Sequence, residues 1–231
     1  MPVVVVTGSA SGIGAGAAAA LAEDGYEVVG WDIAAAEPVD VADESAVKAA
    51  VARLPQPIDG AVLAAGVSRM ARLVDTTTAD WDFQMRVNAF GVFNTLRALI
   101  PVVRRGGSIV VVASVGGLRS AALLSAYCAS KFAVIALVQA AALELGSEGI
   151  RVNAVCPMYV RTPMEVREIG WEAALRGVTP GEVMQGYIQG TPLGRIAEPS
   201  DIADIIRFLM SDRSRYMTGA SVTVSGGADL L

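Results

Sequence analysis

Val3 to Thr7 is an unbroken run of β-branched residues that leads into Thr7-Gly8-Ser9-Ala10-Ser11-Gly12-Ile13-Gly14 and then an Ala-rich stretch. A short apolar run without alternation fits a strand covered on both faces, as in a parallel sheet. Gly12 to Asp24 is helix-prone, and Gly25 supplies the stop. The same rhythm recurs along the chain. Tyr26–Trp31, a short stretch near Val39, Ile58–Ala64, Ser108–Ala113, Ile150–Cys156 and Ser221–Val224 read as strands. Asp43–Leu54, Asp80–Ile100, Ser125–Leu145 and Pro199–Met210 read as helices, with Pro55, Pro57 and Pro101 as breakers. This alternation predicts one α/β domain over 1–231, a doubly wound Rossmann fold. Its parallel sheet should have about seven strands, with helices on both faces. Residues 158–198 lack strand signals and are expected to form a lid over the substrate.

Composition narrows the chemistry. The chain of 231 residues is 53% hydrophobic and 18% charged, enough apolar material for a large core. A net charge of −5 argues against nucleic acid as a partner. There is no histidine, which excludes a Ser-His-Asp triad and disfavours a catalytic zinc site; no metal is expected. Cys128 and Cys156 make no disulfide framework, in keeping with a reducing compartment. The N-terminus lacks the pattern of a signal peptide, and the apolar run Phe132–Leu143 is too short to span a bilayer. The expectation is a soluble cytoplasmic protein without a membrane partner.

Three constellations carry chemistry. In the glycine turn, Gly8 permits a tight bend, Gly12 a close backbone approach to a pyrophosphate, and Gly14 close helix–strand packing. Ser11 and Ile13 belong to the same turn, whose free N–H groups meet phosphate at the helix start. Asp32 ends the next strand at about the 20-residue spacing expected of a carboxylate that binds the adenine ribose, and it favours NAD over NADP. Tyr127 and Lys131, at i and i+4, share a helix face; an ammonium beside the phenol would lower its pKa and fit it for proton transfer. Ser114 ends the Ser108–Ala113 strand at the carboxyl edge of the sheet, where it either holds a substrate oxygen or caps a turn.

Together these motifs closely resemble the short-chain dehydrogenase/reductase superfamily over nearly the whole chain. The resemblance extends to Asp40-Val41 at the adenine ring, and to Asn88 in Val87-Asn88-Ala89-Phe90-Gly91. It also covers Arg151–Pro157 before the nicotinamide loop, Val160 and Thr162 at the nicotinamide amide, Met217-Thr218-Gly219, and Gly226-Gly227. It implies a catalytic tetrad of Asn88, Ser114, Tyr127 and Lys131, with Asn88 holding a water. Ala64, Ala65, Gly66 and Pro157 would join the residues around NAD. Two departures stand out. The family's Asn-Asn-Ala-Gly reads Leu63-Ala64-Ala65-Gly66, which puts a strand-tying hydrogen bond in doubt; its Pro-Gly reads Pro157-Met158, which would narrow the pocket.

The implied activity is NAD-dependent interconversion of a secondary alcohol and its ketone. Met158, Tyr159, Met164, Trp171, Met184 and Tyr187 in the lid suggest an apolar, aryl, cyclic or diol substrate, unless Trp171 and Tyr187 only pack the lid. Arg69, Arg119, Arg161 and Arg167 are candidates to meet an anionic group. Ala65–Met70 and Thr191–Ile196 look like dihydrodiol dehydrogenases, whereas Trp171–Pro180 looks like polyol and secondary-alcohol dehydrogenases. A dihydrodiol dehydrogenase forming an aromatic diol and a catalytically silent NAD-binding regulator are the alternatives. The family pattern also implies a homotetramer or homodimer built on the two long helices.

Overall fold

The computed structural model describes residues 1–230. The first strand, β1 (Val3–Thr7), is buried throughout. Val3 and Val5 enter the apolar layer on one side of the sheet, and Val4 and Val6 the layer on the other. That two-sided burial is why the run is continuous and not alternating. β2 (Glu27–Trp31), β3 (Ile58–Leu63), β4 (Val103–Val112), β5 (Arg151–Pro157) and β6 (Ser221–Val224) complete a parallel sheet in the order β2-β1-β3-β4-β5-β6.

The helices are α1 (Gly12–Glu23), α2 (Glu44–Ala52), α3 (Thr78–Gln84), α4 (Gly91–Leu99), α5 (Ser125–Leu145), α6 (Pro163–Arg176), α7 (Pro180–Gln189) and α8 (Pro199–Met210). Leu96, Leu99, Val134 and Val138 pack α4 and α5 on one face of the sheet; Leu21, Ile202, Ile206 and Leu209 pack α1 and α8 on the other. The doubly wound expectation therefore holds, with one strand fewer than about seven. The stretch near Val39 is not a strand. Val39 is buried and donates its N–H to the Asp32 carbonyl at 3.1 Å, in a tight loop. A parallel crossover needs about a dozen residues, and the few between Trp31 and Val39 cannot supply one.

The helix expected over Asp80–Ile100 is interrupted. Between α3 and α4 the backbone widens into a π-helical segment, Met85–Phe90, a feature that tends to accompany functional sites. β4 also begins earlier than Ser108, with an irregular register between Ile58 and Gly60. Ser125–Glu148 forms a continuous helical stretch long and apolar enough to cross a membrane, contrary to the reading of Phe132–Leu143 as too short. Half of its apolar window is buried, and Val134, Val138 and Leu145 lie in the core against the sheet, as in the core helix of a globular domain.

The segment 158–198, expected to be the lid, contains α6 and α7. Thr162 caps α6 by accepting from the Glu165 N–H at 3.2 Å, and Gly177 ends it in the left-handed region. Thr179 and Glu182 form a capping box at α7. Ile169, Ala173 and Val183 make a small core between the two helices.

Candidate active site

Strand order reverses direction at β1, so the carboxyl ends of β1 and β3 flank a topological switch point. The glycine turn lies there. Gly8 has φ +68° and donates to the Trp31 carbonyl at 2.8 Å. A Cβ on Gly14 would lie 2.1 Å from the Gly8 carbonyl oxygen, so only glycine lets α1 start this close to β1. Asp32 faces the turn from the end of β2. Its carboxylate accepts from the Ala10 N–H at 3.0 Å and the Ala34 N–H at 2.9 Å, which fixes it beside the glycine loop. Asp40 closes its own turn by accepting from the Ala42 N–H, and the Val41 carbonyl accepts from Asn94 on α4.

At the end of β3, where the family's asparagine is absent, a strand-tying contact is nevertheless present. The buried Thr7 hydroxyl oxygen accepts from the Ala64 N–H at 3.0 Å and the Ala65 N–H at 3.1 Å, tying β3 to β1. Asn88, in the π-helical segment, is fully buried. Its Oδ1 accepts from the Val67 N–H, and its Nδ2 donates to the Val67 carbonyl and to Ser130 Oγ. The side chain braces the turn after β3 and does not line the cleft. The expected water would have to be held by groups other than those donors.

Ser114, Tyr127 and Lys131 meet as the spacing required. Ser114 caps the short turn Val115–Gly117 by accepting from the Gly116 N–H at 3.0 Å, and it also faces Tyr127. A methyl group built on Gly116 would lie 3.3 Å from Ser114 Oγ and 3.4 Å from Tyr127 Cε1. A methyl on Gly66 would lie 3.3 Å from Asn88 Oδ1 and 3.7 Å from Lys131 Nζ. The four residues thus cluster around two glycines at the carboxyl edge of the sheet.

The electrostatics differ from the expectation in one respect. Lys131 Nζ donates to the Val112 carbonyl at 3.0 Å and stands 5.7 Å from the centre of the Tyr127 ring. Burial lowers the Lys131 pKa to about 8. The Tyr127 phenol is not lowered. Burial pushes it well above its ordinary value, the Glu168 charge adds to that, and the Ser114 hydroxyl opposes it. The ammonium here is directed at a carbonyl and the ring face, so desolvation dominates.

These groups line a cleft of about 820 Å³. Ile13, Ala64, Gly66, Pro157, Val160 and Thr162 line it on the side of the glycine turn; Asp32, Asp40 and Val41 lie outside it, along the β2 end. On the lid side, Met158, Tyr159, Met164 and Tyr187 reach the cleft, and the two tyrosines stack with centroids 3.9 Å apart. Trp171 and Met184 do not: Trp171 packs under the Arg69 guanidinium, and Met184 packs against the small lid core. Of the four arginines, only Arg119 lines the cleft; Arg69 packs on Phe83 and Trp171, Arg161 pairs with Glu198, and Arg167 is exposed. Glu165 and Glu168, which sequence reasoning passed over, face into it. Their i, i+3 spacing on one helix was the available signal.

A glycine turn at the switch point, a carboxylate beside it and an adjoining serine–tyrosine–lysine cleft fit a dinucleotide and define an oxidoreductase of the doubly wound class. Residues 8–229 match a family model described as enoyl-(acyl carrier protein) reductase. The oxidoreductase UcpA of Salmonella typhimurium is 34% identical over 98% of this chain and 94% of its own length. A 3-alpha-(or 20-beta)-hydroxysteroid dehydrogenase of Mycobacterium bovis is 35% identical over 97% of this chain and 88% of its own. The crystal structure of levodione reductase superposes with a TM-score of 0.92 at 30% identity, covering 99% of this chain and 98% of that one. The chain belongs to the short-chain dehydrogenase/reductase family. It is an oxidoreductase, with a Rossmann-type fold for a nicotinamide cofactor.

Proposed function

We propose that this protein interconverts a secondary alcohol and the matching ketone with NAD, with Tyr127 as general acid–base. The observation that carries the reading is the approach of Ser114 Oγ and Tyr127 to one spot above Gly116, inside the cleft that adjoins the glycine turn. When bound, the nicotinamide cofactor supplies or accepts the hydride. The chain's own groups handle the oxygen. Ser114 Oγ–H orients it, and the Tyr127 phenol gives it a proton in reduction or takes one in oxidation. The raised phenol pKa keeps Tyr127 protonated at neutral pH, which is the form needed to reduce a ketone. Lys131, charged below about pH 8, holds the cofactor ribose. Gly8, Ser11, Gly12, Ile13 and Gly14 cradle the pyrophosphate, and Ala64, Ala65, Gly66, Pro157, Val160 and Thr162 complete the cofactor side. Asn88 positions the turn after β3.

NAD is favoured over NADP because the Asp32 carboxylate stands beside the glycine turn, where it would repel a 2′-phosphate. The substrate is a small molecule. The relatives named for a hydroxysteroid and for levodione support a secondary alcohol or ketone. The apolar face of Phe83, Phe90 and Phe93 on the interrupted α3–α4 stretch, with Ala133 and Leu137 on α5, supports a homotetramer or homodimer. The reading places the protein in the cytoplasm. The test is to assay cyclic and aryl secondary alcohols and ketones with NAD and NADP in parallel. Reduction or oxidation by NAD of several members, with NADP slower, is expected; no hydride transfer with either cofactor across the panel refutes the reading.

A further inference from the structure

Three glutamates on α6, Glu165, Glu168 and Glu172, follow one another at i, i+3 and i+7, and all line the cleft that holds Tyr127. Their partners differ. Glu172 is engaged twice, accepting from Arg176 at 2.6 Å and from the Tyr187 hydroxyl at 2.5 Å. Glu165 is only 4% exposed, yet neither carboxylate oxygen has a hydrogen-bond partner among the described residues. Glu168 forms no salt bridge among the described residues, and its charge is felt at the Tyr127 hydroxyl. Among the described residues, the buried Ser68 hydroxyl beside it is the one protein donor turned toward Glu168, and it makes no other hydrogen bond.

The cations of the cleft do not resolve this. Arg176 is held by Glu172, Arg119 donates to the Ala228 carbonyl, and Lys131 donates to the Val112 carbonyl. Glu165 and Glu168 therefore line the cleft without a salt bridge among the described residues, offset only by the more distant charges of Arg161 and Arg167. Leaving such a group unpaired is unfavourable, and buried unpaired polar groups tend to persist where a ligand completes them. Resting on the alcohol–ketone reading above, we propose that Glu168, backed by Glu165, forms a specificity subsite that accepts a hydrogen bond from a second donor group on the substrate. An ammonium suits it best and a hydroxyl next, whereas anionic substrates are refused. The stacked rings of Tyr159 and Tyr187 border the same space and cover the apolar remainder of the molecule.

Binding, read apart from turnover, tests this. The Tyr127→Phe variant, with NAD bound, is titrated calorimetrically with cyclohexanol, cyclohexane-1,2-diol and 2-aminocyclohexanol. The amino alcohol should bind about tenfold or more tighter than cyclohexanol, with the diol between them, the range of one charge-assisted hydrogen bond. Adding Glu168→Gln should bring the three probes within about twofold of one another, while Glu168→Asp keeps part of the preference. Equal binding of the three probes overturns the proposal. So does a preference that survives Glu168→Gln, or an effect of that change confined to the affinity for oxidised cofactor. Failure of the wild-type enzyme to transfer hydride to any alcohol or ketone is a separate outcome, and it strikes the reading of the site and not the subsite.

Discussion

The two walls of the cleft are held in different ways. The cofactor wall grows from the sheet: Thr7, Asp32 and Asn88 each lock a backbone turn, and the strands behind them are buried on both faces. The lid wall, α6 and α7, rests on a core of three buried residues, one tyrosine stack and ion pairs open to solvent. Rigid support is where geometry must be exact to a fraction of an ångström for hydride and proton transfer. A lightly supported lid suits the part that must admit and select a substrate. The difference predicts that substitutions in the two walls act separately on rate and on specificity.

The comparison can be broken most forcefully at the chemistry. Tyr127→Phe should lower kcat/KM by about 10²–10⁴-fold while the NAD dissociation constant stays within about twofold, measured by steady-state kinetics and fluorescence titration. Substantial residual turnover would remove the phenol from the mechanism. Next in size is Thr7→Val, which keeps the shape of the side chain but leaves the Ala65 N–H without its acceptor and the Ala64 N–H with only the Thr7 backbone carbonyl. A loss of about 2 kcal/mol in chemical denaturation and weaker NAD binding are expected; an unchanged midpoint would mean that water or another acceptor substitutes. Asp32→Ser should raise the ratio of kcat/KM with NADP to that with NAD about tenfold. A constant ratio would show that the carboxylate only ties the glycine loop to β2.

The smallest effect belongs to the lid and depends on pH. Burial pushes the Glu165 carboxyl up to about 7 from the ordinary 4.5. The folded state therefore holds a proton that the unfolded chain releases, and stability falls as pH rises from about 4.5 to about 7, levelling off above. Glu165→Gln, neutral at every pH, should leave the melting temperature nearly unchanged at pH 5. At pH 8 it should raise it by a few degrees, about 1–2 kcal/mol. Equal shifts at both values would mean that the carboxyl is not desolvated.

Much of the cofactor wall was legible in the residues. Gly8 and Gly14 announce a turn that tolerates no Cβ, and Tyr127 with Lys131 announces a shared helix face. Three things were not legible. The stretch at Val39 has the composition of a strand, but the chain around it is too short to reach a parallel position. The hydroxyl of Thr7 holds the Ala64 and Ala65 N–H groups far along the chain, a partnership that exists only once β1 and β3 are paired. The direction of the Tyr127 shift also escaped, because spacing shows that an ammonium is near but not which way it points or how dry the phenol is.

Periodicity and glycine placement by themselves determined the doubly wound sheet, the tight glycine turn after β1 and the shared helix face of Tyr127 and Lys131, since these follow from local backbone sterics and from which faces must be buried. Only the tertiary structure decided that the sheet has six strands and not seven, which carbonyl claims Lys131, and that the buried Glu165 carboxyl lines the cleft without a hydrogen-bond partner among the described residues. Those features depend on distances and desolvation between segments far apart in the chain, which no local pattern encodes.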